Sequence, residues 1–327
     1  MHISLMNQDD MKRNTTGSAV ERQARMVALM KELAPLEGYT LTALPDLRLL
    51  RSNRPLQTTP VLYEPGIVIV CQGRKRGYWG GKVYLYDAQH YLAVAVPVPF
   101  TMETDASAEE PLLALYLTLD FTVLAKLALD FDELAQPVHA VPVGMLSTPM
   151  DEAMSKSVLR LLEALCSPVE ARLLGPSIVR EIYFRVLSGE QGPSMRAALV
   201  SRGRFGQIAA AVRRIHTSFS ERLTVERLAV GVGMSVPTFH AHFRTVTEAS
   251  PMQYLKAVRL HQARLLMLRE EKAVSAAALE VGYESASQFS REFKRLFGLS
   301  PSDEVARLKS SFNMPRILGE QAWVASH

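Results

Sequence analysis

Apolar side chains recur at helical spacing in the last third of the chain. Between Gly282 and Pro301, the side chains of Phe289, Phe293 and Leu296 follow the i, i+4, i+7 pattern of a single helix face. Such a face packs against neighbouring helices and leaves serine, arginine and lysine side chains on the outer side. Ser285 can cap the start of this helix with its hydroxyl group. The pattern predicts a short amphipathic helix with a basic outer face.

The same pattern occurs once more, fifty residues upstream. The aromatic, basic and Ser-Pro positions of this earlier copy precede their counterparts by that interval: Phe239, Phe243, Arg244, Ser250 and Pro251 against Phe289, Phe293, Lys294, Ser300 and Pro301. A short apolar helix that ends near a glycine is predicted before each copy, at Thr224–Gly233 and Ser275–Gly282. A helix, a tight turn and a helix with a polar face form a helix-turn-helix unit, whose second helix enters the DNA major groove.

The segment between the two copies predicts one long helix. Met252–Glu271 contains good helix formers and neither proline nor glycine. About 17 helical residues at about 1.5 Å each span roughly 25 Å. A strut of this length would hold two recognition helices about one DNA turn apart, roughly 34 Å with the flanking turns included.

The first half of the chain shows the shorter pattern of strands. Residues 61–73, 82–100 and 111–120 are rich in valine, leucine and tyrosine and are bounded by glycine, proline and aspartate. Such strands predict a small β-sandwich or barrel. Helices are predicted before it at Glu21–Gly38 and after it at Met150–Cys166 and Pro176–Leu187.

These patterns predict two domains, an α+β domain with a β-barrel and an all-α domain. The expected layout is a mobile tail at 1–20, the barrel domain at 21–190, a linker at 191–204, the helical domain at 205–310 and a C-terminal tail at 311–327. Residues 201–327 hold 18 Lys and Arg against 11 Asp and Glu, whereas residues 1–200 hold 19 against 22. This charge distribution predicts that the basic C-terminal domain binds nucleic acid and that the mildly acidic N-terminal domain has another role.

Cysteine content and hydropathy predict a cytoplasmic protein. The 327 residues include two cysteines, Cys71 and Cys166, which do not form a disulfide framework. The N-terminus lacks a long apolar run, so neither a signal peptide nor a membrane span is expected.

From Gly206 to Leu308 the chain resembles the AraC/XylS family of bacterial transcription regulators. The signature positions are Gly282, Gln288, Phe289, Ser290, Arg291, Phe293, Lys294, Phe297, Gly298 and Pro301. The resemblance implies a seven-helix domain with two helix-turn-helix units that binds double-stranded DNA. The second copy departs from the family at one position. Three residues after the Ser-Pro proline, the first copy has Tyr254, an aromatic residue as is common in the family, but the second copy has Glu304. Looser packing of the last helix is therefore expected.

The outward faces of the two recognition helices supply the candidate DNA-binding residues. They are Ser235, Pro237, Thr238, His240, Ala241 and Arg244 in the first unit and Ser285, Ser287, Ser290, Arg291 and Lys294 in the second. A guanidinium at Arg291 can bond guanine O6 and N7 together, worth about 1–3 kcal/mol of discrimination. Arg244 and Lys294 suit phosphate contacts, which position the protein on the DNA but do not read its sequence. His240 suits either a base edge or solvent.

Residues 35–185 resemble the cupin-like N-terminal domain of one branch of this family. The resemblance implies a small-molecule effector, and some regulators of this kind respond to aldehydes or to cyclic di-GMP. Candidate effector-binding residues are the aromatic and polar-tipped side chains Tyr63, Arg74, Arg76, Tyr78, Trp79, Tyr84, Tyr86 and His90, although packing is the commoner role of strand tyrosines. The helices after the barrel form a homodimer interface in the family; alternatively, they only cover the barrel.

The function expected from these features is a ligand-responsive transcriptional activator that contacts RNA polymerase. One alternative is a redox-sensing regulator that uses Cys71 or Cys166. A second is a metal-dependent cupin enzyme fused to a DNA-binding domain, but a cupin metal site needs closely spaced histidines, and His90 and His139 lie far apart. We therefore predict no catalytic residue, no metal and no cofactor.

Overall fold

The N-terminal half folds into an antiparallel half-barrel sheet, seen in a computed structural model that describes residues 8–134, 140, 142–199 and 204–311. Within these ranges the strands are β1 (Gly38–Leu41), β2 (Leu47–Ser52), β3 (Leu56–Tyr63), β4 (Gly66–Gln72), β5 (Arg74–Trp79), β6 (Lys82–Asp87), β7 (His90–Val94), β8 (Val98–Asp105), β9 (Leu112–Thr118) and β10 (Met145–Pro149). Their order is β1-β2-β9-β4-β7-β6-β5-β8-β3, and β10 pairs with β7.

The strands β4, β7 and β9 are buried on both faces, which explains why they read as nearly continuous apolar runs, whereas β5 and β8 alternate buried and partly exposed residues. In β4, Ile67 and Ile69 face one core while Val68 and Val70 face another, as the two-residue period of a strand requires. The inner core combines aliphatic side chains with five aromatic ones: Tyr63, Trp79, Tyr86, Phe100 and Tyr116. The barrel is therefore a packed interior rather than an open cup.

Helices cover the outer face of the sheet. They are α1 (Gln8–Leu33), α2 (Phe121–Leu134), α3 (Glu152–Leu165), α4 (Pro168–Leu173), α5 (Gly175–Ser188) and α6 (Gly192–Leu199). The buried sides of α1, α3 and α5 belong to the same core as the outward residues of β4. Two expectations need correction: the predicted N-terminal tail is helical from Gln8 onwards, and the predicted linker at 191–204 contains α6.

The C-terminal part is all helical and contains two helix-turn-helix units. Its helices are α7 (Arg204–Thr217), α8 (Val225–Gly231), α9 (Val236–Thr247), α10 (Pro251–Arg269), α11 (Val274–Glu280), α12 (Ala286–Phe297) and α13 (Pro301–Ser311). Helices α8 and α9 form the first unit, α11 and α12 form the second, and α10 is the predicted strut between them. The predicted caps are confirmed, since Ser235 and Ser285 accept the backbone N–H groups of Thr238 and Gln288.

The first unit and the barrel domain share one apolar core. Buried residues of α7, α8, α9 and the first half of α10 form a continuous cluster with the outer core of the sheet. Two hydrogen bonds cross the same junction: the Tyr254 hydroxyl donates to the Pro97 carbonyl (2.7 Å), and the Trp79 indole N–H donates to the Thr247 carbonyl (3.2 Å). The second unit has its own core, built around Phe289, Phe293 and Phe297.

The expectation that Glu304 loosens the last helix is wrong. Glu304 and Arg264 are each 1% exposed and form an ion pair of 3.3 Å, and Arg307 adds a second pair of 2.9 Å to the same carboxylate. The Arg264 guanidinium also lies 4.4 Å from the ring centre of Phe297. Burial lowers the pKa of Arg264 to about 10, and the attraction of Glu304 opposes this effect. At the position where the first unit has an aromatic residue, the second unit thus has a buried ion pair.

Candidate nucleic-acid interface

Helix α9 presents one polar face to solvent and buries the opposite one. Phe239 and Phe243 are fully buried against neighbouring helices. Of the six residues predicted to face DNA in this unit, five are exposed and Thr238 is half-buried: Ser235, Pro237, Thr238, His240, Ala241 and Arg244. Helix α9 itself contains no acidic residue, although the Glu226 carboxylate of α8 interacts electrostatically with His240.

Helix α12 repeats this arrangement. Ser285, Ser287, Arg291 and Lys294 are exposed and Ser290 is half-buried. The single acidic side chain of the helix, Glu292, is turned away from the basic face by its partners. Lys256 donates to it at 2.9 Å and Tyr283 at 2.8 Å. Burial raises the pKa of Glu292, but these hydrogen bonds outweigh burial and lower the pKa overall.

The position of the second unit on α10 is fixed by a residue that sequence reasoning missed. Arg259 donates to three backbone carbonyls, those of Phe219 (2.7 Å), Glu221 (2.9 Å) and Gly282 (3.0 Å). It thereby ties α10 both to the loop after α7 and to the tight turn of the second unit. The only sequence signal for this role is its place in the middle of the predicted strut.

The length of α10 agrees with the predicted strut. Its 19 residues at about 1.5 Å each span about 28 Å, compared with the roughly 25 Å expected. Helix α9 directly precedes the strut, and α12 packs along its middle through Lys256, His261 and Arg264. Both recognition helices present exposed polar faces that carry basic side chains.

The residues predicted to bind an effector lie in three separate places. Tyr63 and Tyr86 are buried inside the barrel with their hydroxyl groups 3.2 Å apart. Trp79 and Tyr84 lie near each other at the junction with the first helix-turn-helix unit. The remaining four are engaged with carboxylates on the surface: Arg74 and His90 with Asp87, Arg76 with Glu103 and Asp105, and Tyr78 with Glu103.

Lys75, which the sequence analysis did not select, lies beside the buried tyrosines. Its side chain is 1% exposed and donates to the Tyr63 hydroxyl at 3.2 Å. Burial lowers the pKa of the Lys75 amine to about 7. A signal for this position exists in the sequence, because the two-residue period of β5 places Lys75 on the face opposite to Arg74 and Arg76.

Neither a metal site nor a membrane-spanning helix is present in the part of the chain that the structure describes. This part contains no group of three or more His, Cys, Asp or Glu side chains placed to hold a metal ion, and His139 lies outside it. Among the helices of that part, none has the length and apolarity that crossing a membrane requires.

Known proteins resemble both parts of the chain. Residues 43–194 match the family model for the N-terminus of AraC-type transcriptional regulators, and residues 228–307 match a helix-turn-helix domain. The "Probable thc operon regulatory protein" of Rhodococcus erythropolis is 27% identical over 233 residues, which cover 68% of this chain and 67% of that protein. The thermoregulatory protein LcrF of Yersinia pestis is 22% identical over 242 residues, or 73% of this chain and 88% of LcrF.

A solved structure shares the fold of the whole arrangement. ToxT from Vibrio cholerae, bound to an unsaturated fatty acid, superposes with a TM-score of 0.53 at 11% identity, covering 80% of this chain and 93% of ToxT. The predicted two-domain fold is thereby confirmed. The matched models describe transcriptional regulators rather than enzymes, so the expectation of a non-enzyme is confirmed as well. The chain belongs to the AraC family of DNA-binding transcriptional regulators.

Proposed function

We propose that this regulator reads a specific operator with both helix-turn-helix units and activates transcription by contacting RNA polymerase. The observation that carries the proposal is the pair of exposed basic faces, on α9 and α12, joined by α10. Arg291 is the proposed base-reading residue of the second unit, because its side chain is exposed in the middle of that face. Arg244 and Lys294 are the proposed phosphate contacts, and Ser235 and Ser285 keep their capping role.

The proposal is tested by selecting bound fragments from the source genome and measuring affinity for the selected site and for random DNA at two salt concentrations. We expect Arg291→Ala to lose about 1–3 kcal/mol of discrimination while its salt dependence changes little. Arg172→Ala, an exposed arginine on α4, is the matched control. If the protein binds all fragments equally and Arg291→Ala behaves like the parent, specific readout by α12 is refuted. Transcription from the selected promoter, with and without the protein, tests activation.

We further propose that a small molecule bound in the N-terminal domain controls this activity. The support is the fold shared with ToxT, which was solved with an unsaturated fatty acid bound, together with the direct packing of the barrel on the first reading unit. Homodimerisation is proposed as well, and sedimentation of the full chain at several concentrations tests it. A purely monomeric protein would remove the dimer from the proposal and leave DNA reading intact.

The chemistry of the two thiols does not favour the redox alternative. Cys71 is 1% exposed, and burial raises the pKa of its thiol to about 12. Cys166 is exposed, but desolvation raises the pKa of its thiol too, and the thiol donates to the Leu162 carbonyl at 3.5 Å. Since the thiolate is the species that reacts with oxidants, neither cysteine is activated.

A further inference from the structure

The two recognition helices carry different chemistry at equivalent positions. Three outward positions of each helix follow the i, i+4, i+7 spacing of one face, and all of these side chains are exposed. The fifty-residue offset between the units pairs Pro237 with Ser287, Ala241 with Arg291 and Arg244 with Lys294. A base that faces the middle of this line therefore meets an alanine in the first unit and an arginine in the second.

The hydroxyl groups beside this line in α9 are engaged within the helix itself. The hydroxyl groups of Ser235 and Thr238 are hydrogen bonded to each other at 2.8 Å. Thr245 donates its hydroxyl to the Ala241 carbonyl at 3.0 Å. The centre of the exposed face therefore offers a base the carbon atoms of Pro237 and Ala241.

The corresponding part of α12 keeps its hydrogen-bonding groups available. Ser287 and Arg291 make no hydrogen bond or ion pair with any other residue that the structure describes. A guanidinium that is free in this way can bond guanine O6 and N7 together. The two units thus differ in what they can recognise, although their backbones are arranged alike.

The carbon surface of α9 matches one feature of the major groove. Thymine presents its C5 methyl group there, whereas the other bases present hydrogen-bond donors and acceptors. A donor or acceptor covered by Pro237 and Ala241 loses its water without gaining a partner, which costs free energy. A methyl group covered in the same way is stabilised. The two side chains lie roughly 5–6 Å apart and base pairs about 3.4 Å, so methyl groups one or two base pairs apart are within reach.

Contacts of this kind require a firmly held helix, because dispersion attraction falls steeply with distance. The barrel holds the C-terminal turn of α9. The Trp79 indole N–H donates to the Thr247 carbonyl at 3.2 Å, and a Cβ at Gly144 would lie 2.9 Å from the Val246 carbonyl oxygen. At the end of α12, a Cβ added to Gly298 would meet open space. The more firmly held helix is therefore the one with the carbon surface.

We propose that Pro237 and Ala241 make the first unit a reader of thymine methyl groups, whereas the second unit reads guanine through Arg291. The operator then consists of two chemically unlike boxes. The inference rests on the proposed reading of one operator by both units, and it specifies what each unit recognises.

Single-base replacements in the selected operator test this inference. The box whose guanine discrimination is lost in Arg291→Ala belongs to α12, and the other box belongs to α9. Deoxyuridine in place of thymine removes only the C5 methyl group. We expect it to weaken binding about fourfold at one or two positions of the α9 box, the loss expected for one buried methyl group. The same replacement in the α12 box should leave the affinity unchanged.

Protein variants assign the effect to its residues. In Ala241→Gly or Pro237→Ala, the ratio of the affinities for the thymine and deoxyuridine duplexes should fall to about one at the position that the altered side chain covers. Each ratio compares two duplexes with the same protein, so a change in the stability of α9 cancels. Arg291→Ala and the exposed control Arg172→Ala should keep the ratio of the parent.

Three results would overturn the inference: an α9 box without thymine, an α9 box insensitive to deoxyuridine at every thymine, or parent-like ratios in both Ala241→Gly and Pro237→Ala. In each of these cases a preferred operator exists, so the proposed function stands. The absence of any preferred fragment would instead refute operator reading, and thymine reading with it.

Discussion

Lys75 shows what the alternation of a strand can and cannot reveal at the scale of one residue. It sits between Arg74 and Arg76, and the three together read as a basic surface turn. The two-residue period of β5 separates them, because the arginines reach surface carboxylates while the lysine enters the barrel. The period alone could have identified Lys75; its partner Tyr63 comes from another strand, and sequence spacing carries no information about that pairing.

The depressed pKa of Lys75 predicts a pH-dependent stability. The folded-state pKa is about 7 and the ordinary value is 10.5, so between these values the unfolded chain binds more protons and stability rises with pH. We expect Lys75→Met to be more stable than the parent at pH 6, by up to about 4 kcal/mol once the lost hydrogen bond to Tyr63 is counted, and this advantage to shrink towards pH 9. The neighbouring ionisable groups Glu37, Arg51, Arg54, Tyr63 and Arg307 are common to both proteins.

Urea unfolding at pH 6, 7, 8 and 9 measures this difference. Lys82→Met, which removes an exposed lysine from β6, serves as the control and should track the parent at every pH. A constant difference between Lys75→Met and the parent across this range would contradict the shifted pKa.

At the scale of the element, the two helix-turn-helix units show how well a repeat predicts structure. The serine caps, the aromatic positions and the limits of α10 follow from local sequence and agree with the structure within a few residues. The contacts of Arg259 and the pairing of Arg264 with Glu304 join residues about 20 to 40 positions apart, so no local pattern contains them. For that reason the sequence alone predicts loose packing at Glu304, although the residue is buried in an ion pair.

Two glycines of the second unit allow the turn itself to be tested. Gly282 has a φ of 88°, and a Cβ there would lie 2.6 Å from the Ser220 carbonyl oxygen. Gly298 has a φ of 81° with open space around it. Gly298→Ala should cost about 1–2 kcal/mol from backbone strain alone, whereas Gly282→Ala should cost more than that because a backbone atom must also move. Thermal unfolding measures both variants, and equal losses would show that the close approach at Gly282 has no energetic weight.

At the scale of the whole molecule, a shared apolar core joins the barrel to the first unit, whereas the apolar core of the second unit is separate. Tyr254 is the centre of this junction, since its hydroxyl contacts both Pro97 (2.7 Å) and the His216 ring nitrogen (2.8 Å). Burial lowers the pKa of His216 to about 4, so the imidazole is neutral near pH 7. The boundary between the domains in sequence therefore does not coincide with a boundary between cores.

Tyr254→Phe is expected to destabilise the barrel and the first unit by about 1–2 kcal/mol, because the buried Pro97 carbonyl and the half-buried His216 ring lose a partner. Tyr283→Phe removes a comparable hydroxyl from the second unit, where it donates to Glu292. Hydrogen exchange should rise in the sheet, α9 and the first half of α10 for Tyr254→Phe, and in α11 and α12 for Tyr283→Phe. Identical exchange patterns in the two variants would show that the units open together.

The junction also bears on how this protein can be divided for biochemistry. A fragment cut at the predicted linker, residues 205–310, would expose to water the sides of α9 and α10 that pack on Trp79, Pro97 and Gly144. Exposed apolar surface of this kind favours self-association. Such a fragment should aggregate more readily than the full chain. The cause would be the apolar surface exposed by removal of the barrel, not misfolding of the recognition helices.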